Sequence, residues 1–232
     1  MILFYTTDIQ NDTATFHDEE AHHCTQVLRK RVGDGVTFID GKGWFYEAEI
    51  VSIEKKTCTL HITNRREDTN HWNTPIHVAI APTKNIDRFE WFLEKVTEIG
   101  INTITPLLCE HSERKNIRLD RLKKILVAAT KQSLKASLPV LNDLTPFSEF
   151  ITSPPPHSQQ FIAYLGEVAS LHLKDAYQQR EAVTVMIGPE GDFSPQEIQK
   201  ALAQGFKGVS LGNSRLRTET AGVVACHILH LG

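Results

Sequence analysis

Two stretches carry residues that could do chemistry. "IGPEGDFSPQEI" (187–198) sets two glycines around a Pro-Glu pair and runs at once into a helix-start signal. "GVSLGNSRLRTETAGVVACHILHLG" (208–232) has the same design: an apolar strand, a glycine, a polar loop, then a helix of small and apolar residues. In the first, Gly188 and Gly191 permit conformations that a side chain forbids, and Pro189 fixes its own φ. Ser194, Pro195 and Glu197 read as an N-cap, a first-turn proline and a capping box, so a helix is expected to begin there. Strand, glycine loop and helix together aim backbone amides at a ligand. The loop lacks both GxxxxGK(S/T) and GxGxxG, which excludes a Walker loop and a dinucleotide fingerprint. By shape alone it reads first as a tight strand-to-helix turn. In the second stretch Arg215, Arg217, Thr218, Glu219 and Thr220 place more polarity between strand and helix than turning requires. If the two strands are neighbours, loops at their carboxyl ends build one crevice of the kind that ligands favour in open α/β sheets.

The elements that must position these loops follow from periodicity. From about residue 76 strand candidates alternate with helix candidates: "IHVAIAP", "TITPLLC", "QFIAYLG", "VTVMIGP" and "GVSLG" against "DRFEWFLEKVTEIG", 119–135, Pro195–Gln204 and Ala221–Leu231. Phe89, Phe92, Leu93, Val96 and Ile99 share one helical face, and Leu122, Leu126 and Ala129 line another. Such alternation implies a mostly parallel sheet with both faces covered. Before residue 70 the texture is different. "GVTFIDGKGWFYEAEIVSIEKKTCTLHITN" alternates apolar and polar residues around turns at Asp40-Gly41 and Glu54-Lys55-Lys56, the pattern of a small β-barrel. "EEAHHCTQVLRKRVGD" ahead of it reads as a short helix ending near Gly33. "EDTNHWNTP" (67–75) reads as the linker, and "SPPPH" (153–157) as a rigid connection. Two domains are expected, 1–70 and 71–232.

Composition narrows the classes further. The 232 residues are 41% hydrophobic and 23% charged, enough for a sizeable core. The start MILFYTTDIQ lacks a basic n-region and a long apolar run, so no signal peptide is expected, and no stretch has the length of a membrane span. Cys24, Cys58, Cys109 and Cys226 are scattered without a CxxC pair, which fits reduced thiols in a cytoplasmic protein. No HExxH or His/Cys spacing occurs among the 11 histidines, so no metal site is expected. Net charge is −3, yet residues 110–135 hold eight Lys/Arg against three Asp/Glu. A local basic face on an acidic protein can bind a polyanion; the same pattern also suits a solvated helix face. Trp44, Trp72 and Trp91 read as packing residues.

"IGPEGDFSPQEI", "SLGNSRLRTETA" and "KNIDRFEWFLEKVTEIGINTITPL" together resemble the RsmE-type 16S rRNA uridine-N3 methyltransferases of the SPOUT superfamily. "HHCTQVLRKRVGD" resembles the opening of that family's PUA-like RNA-binding domain, so the likeness runs along nearly the whole chain. The resemblance implies an α/β SPOUT trefoil-knot domain with a mostly parallel sheet, preceded by a small PUA-like β-barrel. It implies a homodimer with a shared RNA site. It implies S-adenosylmethionine held by Ile187, Gly188, Pro189, Glu190 and Gly191, by Leu211, Gly212, Leu216, Thr218 and Thr220, and by an earlier loop at Leu165 and Gly166. Three departures stand out. Asp192 falls where the family usually has glycine. Asn213-Ser214-Arg215 replaces the family's Pro-Arg-Ile, while Arg217-Thr218-Glu219-Thr220 matches directly. The family's Glu-Gln-Ser-Gly-Arg stretch is Lys131-Gln132-Ser133-Leu134-Lys135, so only Gln132 and Ser133 carry over as RNA contacts.

The implied chemistry assigns roles. Transfer to uridine N3 needs nucleophile and methyl aligned and water excluded. The developing uracil anion needs donors near O2 or O4, for which Arg217 offers a fixed fork. Glu219 either accepts the N3 proton or orients the loop by bonding amides at the following helix start; the orienting role is preferred, since flanking arginines weaken a carboxylate as a base. Because N3 faces the pairing partner, the target must be unpaired. Arg29, Lys30 and Arg31, with Lys84, Arg88, Arg114, Lys115, Arg118, Lys123 and Lys124, are expected to contact phosphates of 16S rRNA or the small ribosomal subunit. The rival readings are a non-enzymatic RNA-binding assembly factor with a degenerate pocket, and a phosphate or nucleotide binder using the Gly188–Gly191 loop.

Overall fold

The computed structural model describes all residues except 1, 70–73, 154–157, 167–170, 180 and 232. Parts of the expected linker and of the proline run, and Trp72, therefore lie outside the described residues. The chain divides into two compact units, Met1–His71 with Val127–Leu138, and Trp72–Leu126 with Pro139–Gly232.

In the first unit β1 (Leu3–Tyr5), β2 (Ile9–Gln10), β3 (Thr13–His17), β4 (Gly35–Ile39), β5 (Trp44–Ile53) and β6 (Thr57–Glu67) form one sheet, ordered β1-β4-β5-β6-β3-β2. All its pairs are antiparallel except β1 with β4. Phe4 on β1 stacks on Phe16 on β3 with ring centroids 4.9 Å apart, although these strands lie near opposite ends of the order. The sheet is thus curled around one core, with Phe38, Leu60, Cys24 and Cys58 buried inside it. Irregularities at Glu47/Ala48 and Ile50/Ser52 on β5 supply the bend. Helix α1 (Asp18–His22) runs into a π-helical turn, His23–Val27, and stops there, short of the expected end near Gly33. The wide turn bonds Leu28 N–H to the His23 carbonyl, and Arg29 then turns left-handed with φ 54°. Arg29, Lys30 and Arg31 consequently occupy a loop.

The second unit holds β7 (Ile76–Ile80), β8 (Thr103–Leu108), β9 (Val140–Leu141), β10 (Thr145–Pro146), β11 (Gln159–Ala163), β12 (Val183–Ile187) and β13 (Lys207–Val209) in an all-parallel sheet, ordered β10-β8-β7-β12-β11-β13 with β9 also on β8. Every residue of β7 and β12 is buried, which is why both read as apolar runs interrupted only by His77 and Thr184. The helices are α2 (Ile86–Ile99), α3 (Leu119–Gln132, whose end counts with the first unit), α4 (Phe147–Thr152), α5 (Leu173–Ala176), α6 (Pro195–Ala203) and α7 (Thr218–Leu231). Helix α2 is capped by Asn85, whose side chain accepts from Asp87 N–H, and buries Phe89, Phe92, Leu93 and Val96. Helix α7 lies against α2 and β7, where Gly222 is the closest point: a Cβ there would stand 2.5 Å from Phe92 Cε2 and 2.8 Å from Ile80 Cδ1. On the other face Ala79, Ala81, Met186 and Ile162 meet Phe147 and Phe150 of α4 and Ala201 of α6. No helix among the described residues is long and apolar enough to cross a membrane.

Two features set the site. Registers Ile80↔Ile187, Ile187↔Ala163 and Ala163↔Val209 bring the carboxyl ends of four strands level, so their loops emerge together. The chain must also return from β13, at one edge, to α7 on the central strand β7, which carries the segment after β13 across the ends of β11 and β12.

Two positions generate predictions. His77 on β7 is buried, 2.7 Å from Thr105 Oγ1, and burial pushes its pKa down to about 4. Its folded value lies below the unfolded 6.5, so the fold disfavours the proton: stability is full above pH 6.5 and falls as pH drops toward 4. The gap corresponds to about 3 kcal/mol, visible as a pH-dependent urea midpoint whose slope flattens in His77→Gln. Leu134, just past α3, is 46% exposed at φ 54°. A leucine there is strained where glycine is not, so Leu134→Gly should raise stability by up to about 1 kcal/mol in the same assay.

Candidate active site

The loop after β12 is pinned at both ends. Asp192 N–H donates to the Pro189 carbonyl, 2.9 Å, closing a turn in which Asp192 adopts φ 62°. Gly188 lies so close to the returning chain that a Cβ would stand 3.1 Å from Phe193 N. The capping box is formed as expected: Ser194 Oγ accepts Glu197 N–H, and Glu197 Oε2 accepts Ser194 N–H. The other oxygen, Oε1, accepts Glu110 N–H from the end of β8 at 2.9 Å. Glu190 Oε1 accepts Lys84 N–H, 2.9 Å, which ties the same loop to the chain entering α2. Asp192 adds a third tie: its Oδ1 accepts Phe193 N–H at 2.8 Å and its Oδ2 accepts Leu165 N–H at 3.2 Å. Asp192 therefore joins two of the three loops around the site.

Those loops enclose a cleft of about 500 Å³, within the range of small-molecule sites. Leu165 and Tyr164 form one wall, Ile187 to Asp192 the second, and Leu211 to Thr218 the third, with Arg88 and Ala221 at its border. Of the cofactor residues expected from the sequence, Leu165, Ile187, Gly188, Pro189, Glu190, Gly191, Leu211, Gly212, Leu216 and Thr218 all line it. Gly166 and Thr220 do not. Gly166 sits behind Tyr164, where a Cβ would stand 3.0 Å from the ring. Thr220 opens with Glu219 onto an adjoining cleft, whereas Arg217 lines both. Helix α7 begins at Thr218 rather than Ala221, because the Ala221 N–H to Arg217 carbonyl bond of 2.8 Å closes a first turn that the polar residues conceal. Tyr164 was missed by the sequence reading, although a tyrosine ending an apolar strand was a visible signal. Its hydroxyl is buried without a hydrogen-bond partner among the described residues.

A cleft of this size, walled by glycine-bearing loops with backbone amides, fits a nucleoside-bearing ligand such as S-adenosylmethionine. The expected RNA contacts divide. Arg88 reaches the cleft. Arg114 instead donates through Nε and Nη2 to the Thr83 and Lys84 carbonyls, and Lys84 Nζ pairs with Glu113 at 2.7 Å. Arg118 pairs with Asp120 at 3.1 Å, while Lys115, Lys123 and Lys124 are exposed along the same stretch. In the first unit Lys30 Nζ donates to the Gly35 carbonyl, and Arg29 and Arg31 are exposed. Gln132 is exposed, and Ser133 Oγ donates back to the Ala129 carbonyl.

A family model described as "RNA methyltransferase domain" matches residues 70–230, and one described as "RNA methyltransferase PUA domain" matches residues 16–63. The "Ribosomal RNA small subunit methyltransferase E" of Synechocystis sp. is 31% identical over 219 residues, covering 92% of this chain and 71% of that protein. The Buchnera aphidicola protein of the same name is 28% identical over 90% of this chain and 83% of its own. Among solved structures, a "probable rRNA-methyltransferase" from Porphyromonas gingivalis has a TM-score of 0.92 at 43% identity, covering 100% and 98% of the two chains. A "Ribosomal RNA small subunit methyltransferase E" from Neisseria gonorrhoeae bound to S-adenosyl methionine has a TM-score of 0.87 at 28% identity, covering 97% and 95%.

The Asp192 ties make a local prediction. Asp192→Ala removes both acceptors, so amide hydrogen exchange at Leu165 and Phe193 should accelerate about 5- to 10-fold, the size of one lost hydrogen bond each. Asp192→Asn keeps one acceptor oxygen and should release only one of the two amides.

Proposed function

Because this chain belongs to the RNA methyltransferase family, we propose that it transfers the methyl group of S-adenosylmethionine to N3 of a uridine in 16S ribosomal RNA. Its fold is the SPOUT trefoil-knot α/β domain preceded by a PUA-like barrel, one of the few exceptions to the rule that chains do not knot. The observation that carries the reading is the cleft. Its three walls are the three segments that the resemblance assigns to the methyl donor, and Arg217 of the LRTET stretch stands where this cleft meets its neighbour. A degenerate pocket, as a non-enzymatic assembly factor would carry, has no need of loops tied together by Glu190, Asp192 and Glu197.

S-adenosylmethionine, when bound, supplies an electrophilic methyl. The chain's own part is to hold and orient. Backbone groups of Gly188–Gly191 and Leu211–Leu216 grip the donor, and the cleft walls exclude water. Arg217 donates hydrogen bonds to a uracil carbonyl oxygen as negative charge develops on the ring. Residues 1–70 serve as the RNA-binding domain and 71–232 as the methyltransferase domain. Arg29, Lys30, Arg31, Lys115, Arg118, Lys123 and Lys124 contact phosphates, with Gln132 and Ser133 near the RNA. The same resemblance supports a homodimer acting in the cytoplasm.

Incubation with S-adenosylmethionine and small ribosomal subunits lacking the modification should yield N3-methyluridine by nucleoside mass spectrometry. Arg217→Ala should slow single-turnover methylation by about 100-fold, as when one oxyanion donor is lost elsewhere. A normal rate in that variant removes Arg217 from the chemistry, and another methylated nucleoside removes the uridine-N3 assignment. RNA affinity should also fall steeply as salt rises.

A further inference from the structure

The methyl-donor cleft shares its Arg88, Arg215, Leu216 and Arg217 wall with a second cleft of about 600 Å³. Two features of this second cleft bear on what it could hold. Trp91 lines it from α2 and is 43% exposed, while the neighbouring aromatic residues Phe89 and Phe92 are fully buried. A single exposed indole is ordinary on a protein surface; what sets this one apart is its place on the wall of a cleft. Glu219 lines the cleft from the first turn of α7 and is only 6% exposed, yet its Oε2 has no hydrogen-bond partner among the described residues. Its Oε1 lies 3.9 Å from Arg88 Nε, too far for a hydrogen bond. Glu219 bonds none of the helix-start amides that an orienting role requires. A carboxylate oxygen withdrawn from water without a donor is destabilising unless a ligand supplies one.

We propose that this second cleft receives the target base and reads it as uracil. The pairing edge of uracil presents acceptor, donor, acceptor: O2, N3–H and O4. Arg88, the Glu219 carboxylate and Arg217 present donor, acceptor, donor, and Trp91 offers a face on which the extruded ring stacks. Cytosine presents an acceptor at N3, so two acceptors would meet at Glu219. N3-methyluracil, the product, has lost the N–H and gains a methyl directed at the carboxylate. The step balances. The Glu219 carboxylate takes the N3 proton first, the in-plane lone pair so freed turns to the methyl, the N3–CH3 bond forms as the S–CH3 bond breaks, the sulfonium becomes a neutral thioether, and the proton passes to solvent when the base leaves. This inference rests on the uridine-N3 reading and adds to it how uridine is chosen.

The test uses the full chain and a single-stranded oligonucleotide with one uridine, compared with the same strand carrying cytidine or N3-methyluridine there. Binding is followed by fluorescence anisotropy, with S-adenosylmethionine affinity by calorimetry and molecular mass by light scattering as controls. The wild type should prefer uridine over both replacements by about 10-fold or more. Glu219→Gln, able to donate to cytosine N3, should lose the uridine-over-cytidine preference while keeping its affinity for the flanking strand. Trp91→Ala should weaken binding of every version by about 10-fold, and Trp91→Phe, which keeps a ring, should restore most of it. Retained preference in Glu219→Gln overturns the proposal. So does unchanged binding in Trp91→Ala, or a change of molecular mass in the Trp91 variants, which would make that indole a contact between copies of the chain. Wild-type protein that makes no N3-methyluridine on subunits defeats the function reading itself; N3-methylation together with unaltered variants defeats only this inference.

Discussion

Glu197 holds the site together with one carboxylate. One oxygen closes the capping box that starts α6, and the other takes the backbone N–H of Glu110 at the end of β8. A helix start and a strand end are thereby clamped on either side of the Gly188–Phe193 loop, with the carboxylate itself buried. Such bonds are charge-assisted, and both oxygens are satisfied, which is the condition under which a buried carboxylate stabilises rather than costs. Glu190 and Asp192 then act on a loop whose ends are already set, one bonding it to the entry of α2 and the other to Leu165. A loop with three such anchors presents a preorganised wall, so a ligand has little ordering entropy to overcome.

The opposite wall is positioned by packing. Gly222 lets α7 settle against Phe92 and Ile80, and that contact fixes where the first turn of α7 stands relative to α2. Arg88 and Trp91 come from α2, Arg217 directly precedes α7, and Glu219 lies within its first turn. Four side chains around one cleft are therefore referenced to a single helix–helix contact. The two halves of the site use different physics: hydrogen bonds to a carboxylate on one side, close apolar approach on the other. They meet because the strand registers bring β7, β12, β11 and β13 to a common level and the chain recrosses their ends to reach α7.

Left-handed residues show how local chemistry is overruled or used. Leu134 and Asp192 both occupy φ near 60°, the left-handed region that favours glycine. Leu134 is half exposed, and its apolar side chain has no oxygen with which to bond a nearby amide. Asp192 uses the same backbone to aim two oxygens at Leu165 and Phe193. Aspartate tolerates the left-handed region better than leucine for the same reason, since its short side chain can bond nearby amides.

Much was legible in the residues. The Ser194–Glu197 capping box, the apolar faces of α2 and α3, the buried runs of β7 and β12, and the two glycine loops all follow from local propensity and period, which depend on neighbours a few positions away. The start of α7 was hidden, because Arg217, Thr218 and Glu219 look like loop residues until one backbone bond closes over them. Trp91 read as packing because sequence cannot tell which side of a helix remains uncovered. The bonds of the Arg114 guanidinium to the Thr83 and Lys84 carbonyls join segments about thirty positions apart and leave no mark in the local pattern. The sequence by itself determined which segments are strands, helices and ligand loops, since those choices are made locally. Only the tertiary structure decided that Leu165, Asp192, Arg88 and Arg217 border one cleft and that Glu219 keeps a buried oxygen without a partner among the described residues, because those contacts join residues up to a hundred or more positions apart.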